Sequence, residues 1–301
     1  MISILKNIIK SLLKLLPFPL SLKIWLIKRS IKFADALSFS DKDNLEFVIS
    51  NYQGNLKVRV NVIYTIERVM ISGTYEPHTT DLINRLLPRH GYAIDIGANV
   101  GALTLVMAKV VGPNGKVFAF EPSPLTFERL VYNIKLNPEF RNVIRSYNIG
   151  LSDVEETLYW RASTRNMGNG SLLESSGIPV PVKALDTVIP QSIPSIDFIK
   201  IDVEGMEYEV IHGGIETIKR YKPVICFEAL SLFKERRVFK GNCQEHIFRD
   251  IKNLFTELNY GLFYFQPSKG ILRVTGDNLP ATTLAFPLKH SAKLYSNSFY
   301  H

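Results

Sequence analysis

Three carboxylates stand at the ends of short apolar runs: Asp95 in Tyr92–Ile96, Glu121 after Lys116–Phe120, and Asp202 after Ile196–Ile201. Runs of this kind read as parallel strands covered on both faces. The acids then sit at strand tips, where open α/β sheets bind ligands. Asp95 opens the pattern Asp95-x-Gly97-x-x-x-Gly101. Gly97 and Gly101 permit a positive φ or a close backbone approach. A dinucleotide turn, G-x-G-x-x-G, has a middle glycine that lets a pyrophosphate approach, and Asn99 occupies that place here. The Asp95 carboxylate would also repel a diphosphate. It suits a ligand carrying an ammonium or a sulfonium, and S-adenosylmethionine carries both. A structural strand-turn-helix with no ligand gives the same letters, so that reading stays open.

Glu121 lies about two dozen residues beyond the glycine turn, where an acid accepts both hydroxyls of a ribose. Its alternative role is to cap the helix after Pro122-Ser123-Pro124. Gly150-Leu151-Ser152-Asp153 lies on the same edge and could meet an adenine through Ser152 or Asp153, or be an ordinary turn. Asp202 and Glu204 are separated by one residue just past a strand tip. Two close carboxylates push one pKa up, which suits a general base for an acceptor hydroxyl. They could instead share a divalent cation with Glu228 at the next strand tip, or Glu204 could cap the following helix. His212 reads as a helix-end or surface residue.

The elements that position these residues follow from the pattern. Ala102–Val111 (ALTLVMAKVV) reads as a helix packed on nearly every side. A helix from Pro124 to about Leu136, strands at Val143–Asn148 and Val224–Phe227, and a helix over Gln244–Leu258 continue a β-helix-β alternation. Gly261–Gln266 and Thr282–Pro287 read as a closing antiparallel pair. Thr157–Ala162 and Val180–Leu185 read as an extra hairpin, with Asn166–Ser171 between them as a polar loop near the ligand. Ahead of the main sheet, Leu45–Ile49, Lys57–Val62 and Tyr64–Ile71 predict a small β element over residues 41–72, and a helix follows Gly73-Thr74-Tyr75-Glu76-Pro77. The main domain is expected over residues 73–301.

The chain has 301 residues and a net charge of +8. Residues 1–40 hold seven basic residues against Asp35 alone, so +6 of that charge belongs to the N-terminal arm. A nucleic-acid groove across the main domain is disfavoured. Lys6, Lys10 and Lys14 share one face of a basic amphipathic helix. Residues 1–33 fit an anionic membrane surface or a helix packed on protein, and both stay open. Cys226 and Cys243 form no close-spaced pair, and histidine spacing suggests no zinc site.

The motifs Asp95-Ile96-Gly97-Ala98-Asn99-Val100-Gly101, Phe120-Glu121-Pro122 and Ile199-Lys200-Ile201-Asp202-Val203-Glu204-Gly205-Met206-Glu207 resemble the FkbM-type family of class I S-adenosylmethionine-dependent methyltransferases. Gly73-Thr74-Tyr75-Glu76-Pro77 and Gly150-Leu151-Ser152-Asp153 match the same pattern, and the resemblance covers about residues 70–230. It implies a doubly wound, Rossmann-like α/β fold: a seven-stranded, mostly parallel sheet whose last strand is antiparallel. It implies methyl transfer, usually to oxygen. Carried over by position, Asp95, Gly97, Asn99 and Gly101 would line the methionine part of the cofactor and Glu121 would hold the ribose. Ser152 and Asp153 would sit near the adenine, Asp202 would face the methyl-transfer centre, and Glu76 precedes the first helix.

The expected function is O-methylation of a sugar, glycan or other small-molecule hydroxyl. Asp202 and Glu204 are the catalytic candidates, S-adenosylmethionine the cofactor, and a divalent cation a candidate addition. A cytoplasmic location is expected, and the arm leaves the inner face of a membrane open. The competing class is a non-catalytic membrane-peripheral module that keeps the fold. An NAD-dependent oxidoreductase is disfavoured by Asn99. Acceptor identity and oligomeric state are not encoded in any visible pattern.

Overall fold

The computed structural model describes residues 46–73, 75–163, 166–173, 175–229, 244–266, 268–275 and 279–288. The basic arm over residues 1–40 and its expected membrane contact lie outside the described residues. The chain divides into two units, Met1–Pro77 and His78–His301.

In the first unit, β1 (Glu46–Tyr52) and β2 (Leu56–Asn61) pair antiparallel, as the pattern predicts. Next comes α1 (Thr65–Ser72), a helix where the β-branched residues predict a strand. Its buried positions Glu67, Met70 and Ile71 are three and four apart, the spacing of one helical face. Glu67 accepts the Asn61 N–H at 2.5 Å, and the Arg68 guanidinium donates to the carbonyls of Val62 and Ile63. These contacts outweigh the β-propensity of Ile66, Val69 and Ile71, which is context-dependent.

In the second unit, α2 (Pro77–Leu86) leads to β3 (Tyr92–Ile96), α3 (Ala102–Val111), β4 (Lys116–Phe120), α4 (Pro124–Leu136) and β5 (Ile144–Tyr147). Ser123 caps α4 by accepting the Thr126 N–H, and Pro124 supplies a preset φ at its first turn. A separate set follows: β6 (Gly150–Ser152), β7 (Glu156–Ser163), β8 (Asn166–Leu173) and β9 (Ile178–Ala184). The chain then returns through β10 (Phe198–Ile201), α5 (Glu207–His212), α6 (Ile215–Tyr221), β11 (Val224–Glu228), α7 (Gln244–Glu257), β12 (Tyr260–Gln266), β13 (Gly270–Arg273) and β14 (Thr282–Pro287).

The main sheet has the order β13-β12-β14-β11-β10-β3-β4-β5. The pairings from β11 to β5 are parallel, and β14 is antiparallel to both β11 and β12. The expected seven strands are therefore present, with the last antiparallel. An eighth, β13, extends the edge beyond β12. It is short and ends on Arg273, so neither length nor alternation announces it. Between β3 and β10 the strand order reverses, which opens a crevice at the strand C-termini. All of α3 except Lys109 and Val110 is buried. Each such apolar side chain contributes about 1.5–3 kcal/mol, which explains a helix with almost no polar face.

The second sheet has the order β6-β9-β7-β8. The expected hairpin is the β7–β9 pair, in register at Leu158 and Val180. The segment read as a polar loop over Asn166–Ser171 is instead most of β8, paired along the other side of β7. Its glycines and asparagines suggest a turn, but an edge strand tolerates them once a neighbour supplies the ladder.

Candidate active site

At the tip of β3 the chain turns sharply. Gly97 has φ +76°, and a Cβ there would lie 1.8 Å from the carbonyl oxygen of Asp202. Only glycine admits that approach, which joins the turn after β3 to the turn after β10. Gly97 and Ala98 donate their N–H groups to the Phe120 carbonyl at 3.0 and 2.9 Å. Gly101, at φ +86°, starts α3 where a Cβ would meet Leu130 at 2.6 Å. Asn99 sits at φ +52° and donates its N–H to Glu121 Oε2 at 2.9 Å.

Glu121 follows β4 and is buried. Its Oε1 accepts the Ser123 N–H at 2.9 Å. Burial raises its pKa to about 7, and the charge of Asp95 adds to the rise; the Ser123 and Asn99 N–H bonds and the Lys200 charge oppose it. Asp95 is fully buried, with Oδ2 accepting the Thr104 hydroxyl at 2.5 Å. It is not among the residues that line the cleft.

Lys200, in mid-strand and 5% exposed, ion-pairs with Asp202 Oδ2 at 3.1 Å. Residues two apart on a strand share a face, so the I-K-I-D string delivers both charges to one place. The nearest partner of Asp202 is thus a cation rather than the second carboxylate. Glu204 is exposed, at φ +54°, because the chain leaves strand geometry after Asp202. The loop is closed by Glu207, whose Oε1 accepts the N–H groups of Val203 and Gly205 at 3.4 and 3.2 Å. Among the described residues, no three His, Cys, Asp or Glu side chains group as a metal site.

These turns border an open cleft, with about 580 Å³ of space counted out to its mouth. Of the predicted residues, Gly97, Asn99, Glu121, Asp202 and Glu204 line it together. Ser152 and Asp153 follow the lining residues Gly150 and Leu151 but do not line it. Ser152 bonds to Asp153, and His212 meets the other Asp153 oxygen at 3.2 Å. Gly101 does not line it. Glu76 belongs to the first unit and has φ +42° just before α2. Trp160, Leu172 and Met206 also line the cleft, and sequence spacing points to none of them. Lys200 could have been found, since a lysine inside an apolar strand needs a partner two residues away.

The family model of the methyltransferase FkbM domain matches residues 95–262. Methyltransferase sdnD of Sordaria araneosa is 28% identical over 188 residues, covering 50% of this chain and 71% of that protein. Hexuronic acid methyltransferase AglP of Haloferax volcanii is 29% identical over 134 residues, covering 44% of this chain and 53% of its own. The crystal structure of methyltransferase FkbM from Methylobacillus flagellatus aligns with a TM-score of 0.44 and 15% identity, over 73% of this chain and 54% of that one. The chain thus spans about half the length of two of these three relatives.

Proposed function

We infer activity from membership and geometry together: this chain belongs to the FkbM methyltransferase family, and we propose that it transfers a methyl group from S-adenosylmethionine to a hydroxyl of a sugar or similar small acceptor. One observation carries the reading. Glu121 and Asp202, from the tips of β4 and β10, line the same cleft on either side of the switch point.

The donor set suits a nucleoside that bears positive charge. Glu121 offers a carboxylate to the ribose hydroxyls. The tight Gly97–Gly101 turn leaves room for a chain to pass. Asp202 and Glu204 supply negative charge near a sulfonium. When bound, S-adenosylmethionine supplies a methyl that is already activated for in-line attack. The protein's part is then placement and handling one proton. Asp202 takes the proton of the acceptor hydroxyl, and Lys200 holds its carboxylate in position. Glu204 stands at the mouth, where it can meet the acceptor. The hexuronic acid methyltransferase among the relatives supports a sugar acceptor for this chain.

The test is transfer of a labelled methyl from S-adenosylmethionine to a fractionated glycan extract. Label in a base-stable methyl ether supports the reading. Label only in a base-labile ester would move the acceptor atom to a carboxylate, and no transfer to any fraction would remove the proposal.

A further inference from the structure

The connections at the N-terminal ends of β3, β4 and β5 share one sign of charge. These ends stand side by side: Tyr92 pairs with Lys116, and the Val117 N–H donates to the Val143 carbonyl at 2.9 Å. Around them, residues 88–91, 109–116 and 135–145 carry Arg89, Lys109, Lys116, Lys135, Arg141 and Arg145 against one acid, Glu139. All of these cations except Lys116 are exposed. Asp197 also lies at this end, where it accepts the Tyr92 N–H at 2.8 Å and the Ser195 hydroxyl at 2.9 Å.

Backbone and side-chain contacts gather the cations. The His90 N–H donates to the Val111 carbonyl at 2.8 Å. A Cβ on Gly112 would lie 3.6 Å from Arg89 Nη2, so this guanidinium sits at the C-terminal end of α3, near Lys109. Lys116 Nζ donates to the Asn142 carbonyl, beside Arg141. Local needs explain only part of the set. Lys109 and Lys135 lie in the last turns of α3 and α4, where they offset helix dipoles. Arg145 guards the edge strand β5 against pairing with another chain. Arg89, Lys116 and Arg141 serve neither purpose. Because residues 41–301 hold only +2 of the net charge, the rest of them is net acidic. Glu121, Asp202 and Glu204 line the cleft at the other end of the strands, and the path from Tyr92 to Ile96 spans about 13 Å. Charge is therefore polarised along the sheet.

We propose that this basic end docks on an anionic lipid bilayer. Its cations sit on strand starts, helix ends and tight turns, and the aromatic residue of these stretches, Phe140, is buried. They present no helix or ribbon to a nucleic-acid groove and no ring to stack on a nucleobase. Cations spread over turns suffice for an anionic bilayer. The amphipathic sequence of residues 1–40 has the same excess of positive charge, which favours a membrane as the common partner. With the basic end on the bilayer, the strand C-termini and the cleft face away from it, and the acceptor reaches the site from solution.

The test is flotation of the full-length chain with vesicles of phosphatidylglycerol and phosphatidylcholine in equal parts, and of phosphatidylcholine alone, at about 0.1 M salt, where surface charges act over about 10 Å. The chain should bind the first and not the second. Arg89→Gln, Arg141→Gln and Arg145→Gln combined should weaken binding about 100-fold, at about fivefold per charge, with an unchanged thermal melt. If the triple variant fails to fold, the three single variants decide, each at about fivefold. Unchanged vesicle binding in the folded variants would overturn the proposal and leave the arm as the membrane contact. Equal binding to both vesicles, no binding to either, or preference for a duplex oligonucleotide over the anionic vesicles would overturn it as well. None of these outcomes bears on the methyltransferase reading, which S-adenosylhomocysteine binding tests separately.

Discussion

The turn after β3 and the turn after β10 both follow buried parallel strands and both hold residues at positive φ. They are fastened differently. The first is tied by backbone donors to Phe120, by the Asn99 N–H to Glu121, and by a helix buried along nearly its whole length. The second has Glu204 exposed at its crest and is braced by the Glu207 carboxylate, by the Lys200–Asp202 pair and by the Asp202 N–H on the Ile96 carbonyl. A turn held by backbone contacts keeps a fixed shape for a fixed ligand. A turn braced mainly by side chains can adjust to an acceptor. On this account, cofactor binding belongs to the first turn and chemistry to the second.

Four experiments would sharpen or break that division. The largest effect is expected at Gly97, where the two turns touch. Gly97→Ala should cost about 3 kcal/mol or more of stability and abolish S-adenosylhomocysteine binding, read by thermal melting and calorimetry. A normal melt with normal binding would show that the turns are not packed as described. Next, Asp202→Asn should lower methyl transfer by about 10²–10⁴-fold, as loss of a general base does. Its affinity for S-adenosylhomocysteine should stay within about threefold of the original. Comparable losses in binding and turnover would erase the division between the turns.

The third effect is a pH dependence at Glu121, whose pKa is raised to about 7. Below that value the carboxyl is protonated and accepts hydroxyls poorly. Affinity for S-adenosylhomocysteine should therefore rise about tenfold from about pH 6 to about pH 8 and then level off. The sign for stability is opposite. The carboxyl's contribution is fully present below its ordinary value of 4.5 and is lost as pH climbs through about 7. A flat affinity profile would mean that Glu121 does not touch the ligand. The smallest effect is Glu207→Gln. It should loosen only the second turn, at about 1 kcal/mol. Methyl transfer should fall severalfold with binding unchanged, and a loss confined to binding would count against the division.

The same contrast explains what the sequence made legible. The first turn is local: Asp95, Gly97, Asn99 and Gly101 are close in the chain and joined by backbone geometry, so spacing alone outlined it. Position places Asp95 at the ligand, and in the structure it is fully buried and accepts the Thr104 hydroxyl. At the second turn, Asp202 was legible as a strand-tip acid. Lys200 was overlooked because charge inside a strand was not read as a pair. The parallel strands and the closing antiparallel pair followed from periodicity. Trp160 and Leu172 did not, because they meet the cleft only through β7 and β8, and β8 looks like a loop until β7 pairs with it. In α1, β-branched letters predicted a strand, and the contacts of Glu67 and Arg68 decided for a helix.

The central claim is that a carboxylate at the β4 tip holds the ribose of S-adenosylmethionine in this cleft. Isothermal titration of S-adenosylhomocysteine into the full chain and into Glu121→Gln, at about pH 8 where the carboxylate is charged, tests it most directly. The account predicts saturable one-to-one binding to the chain and roughly tenfold to hundredfold weaker binding to the variant. Equal affinities, or no heat with either protein, would contradict it.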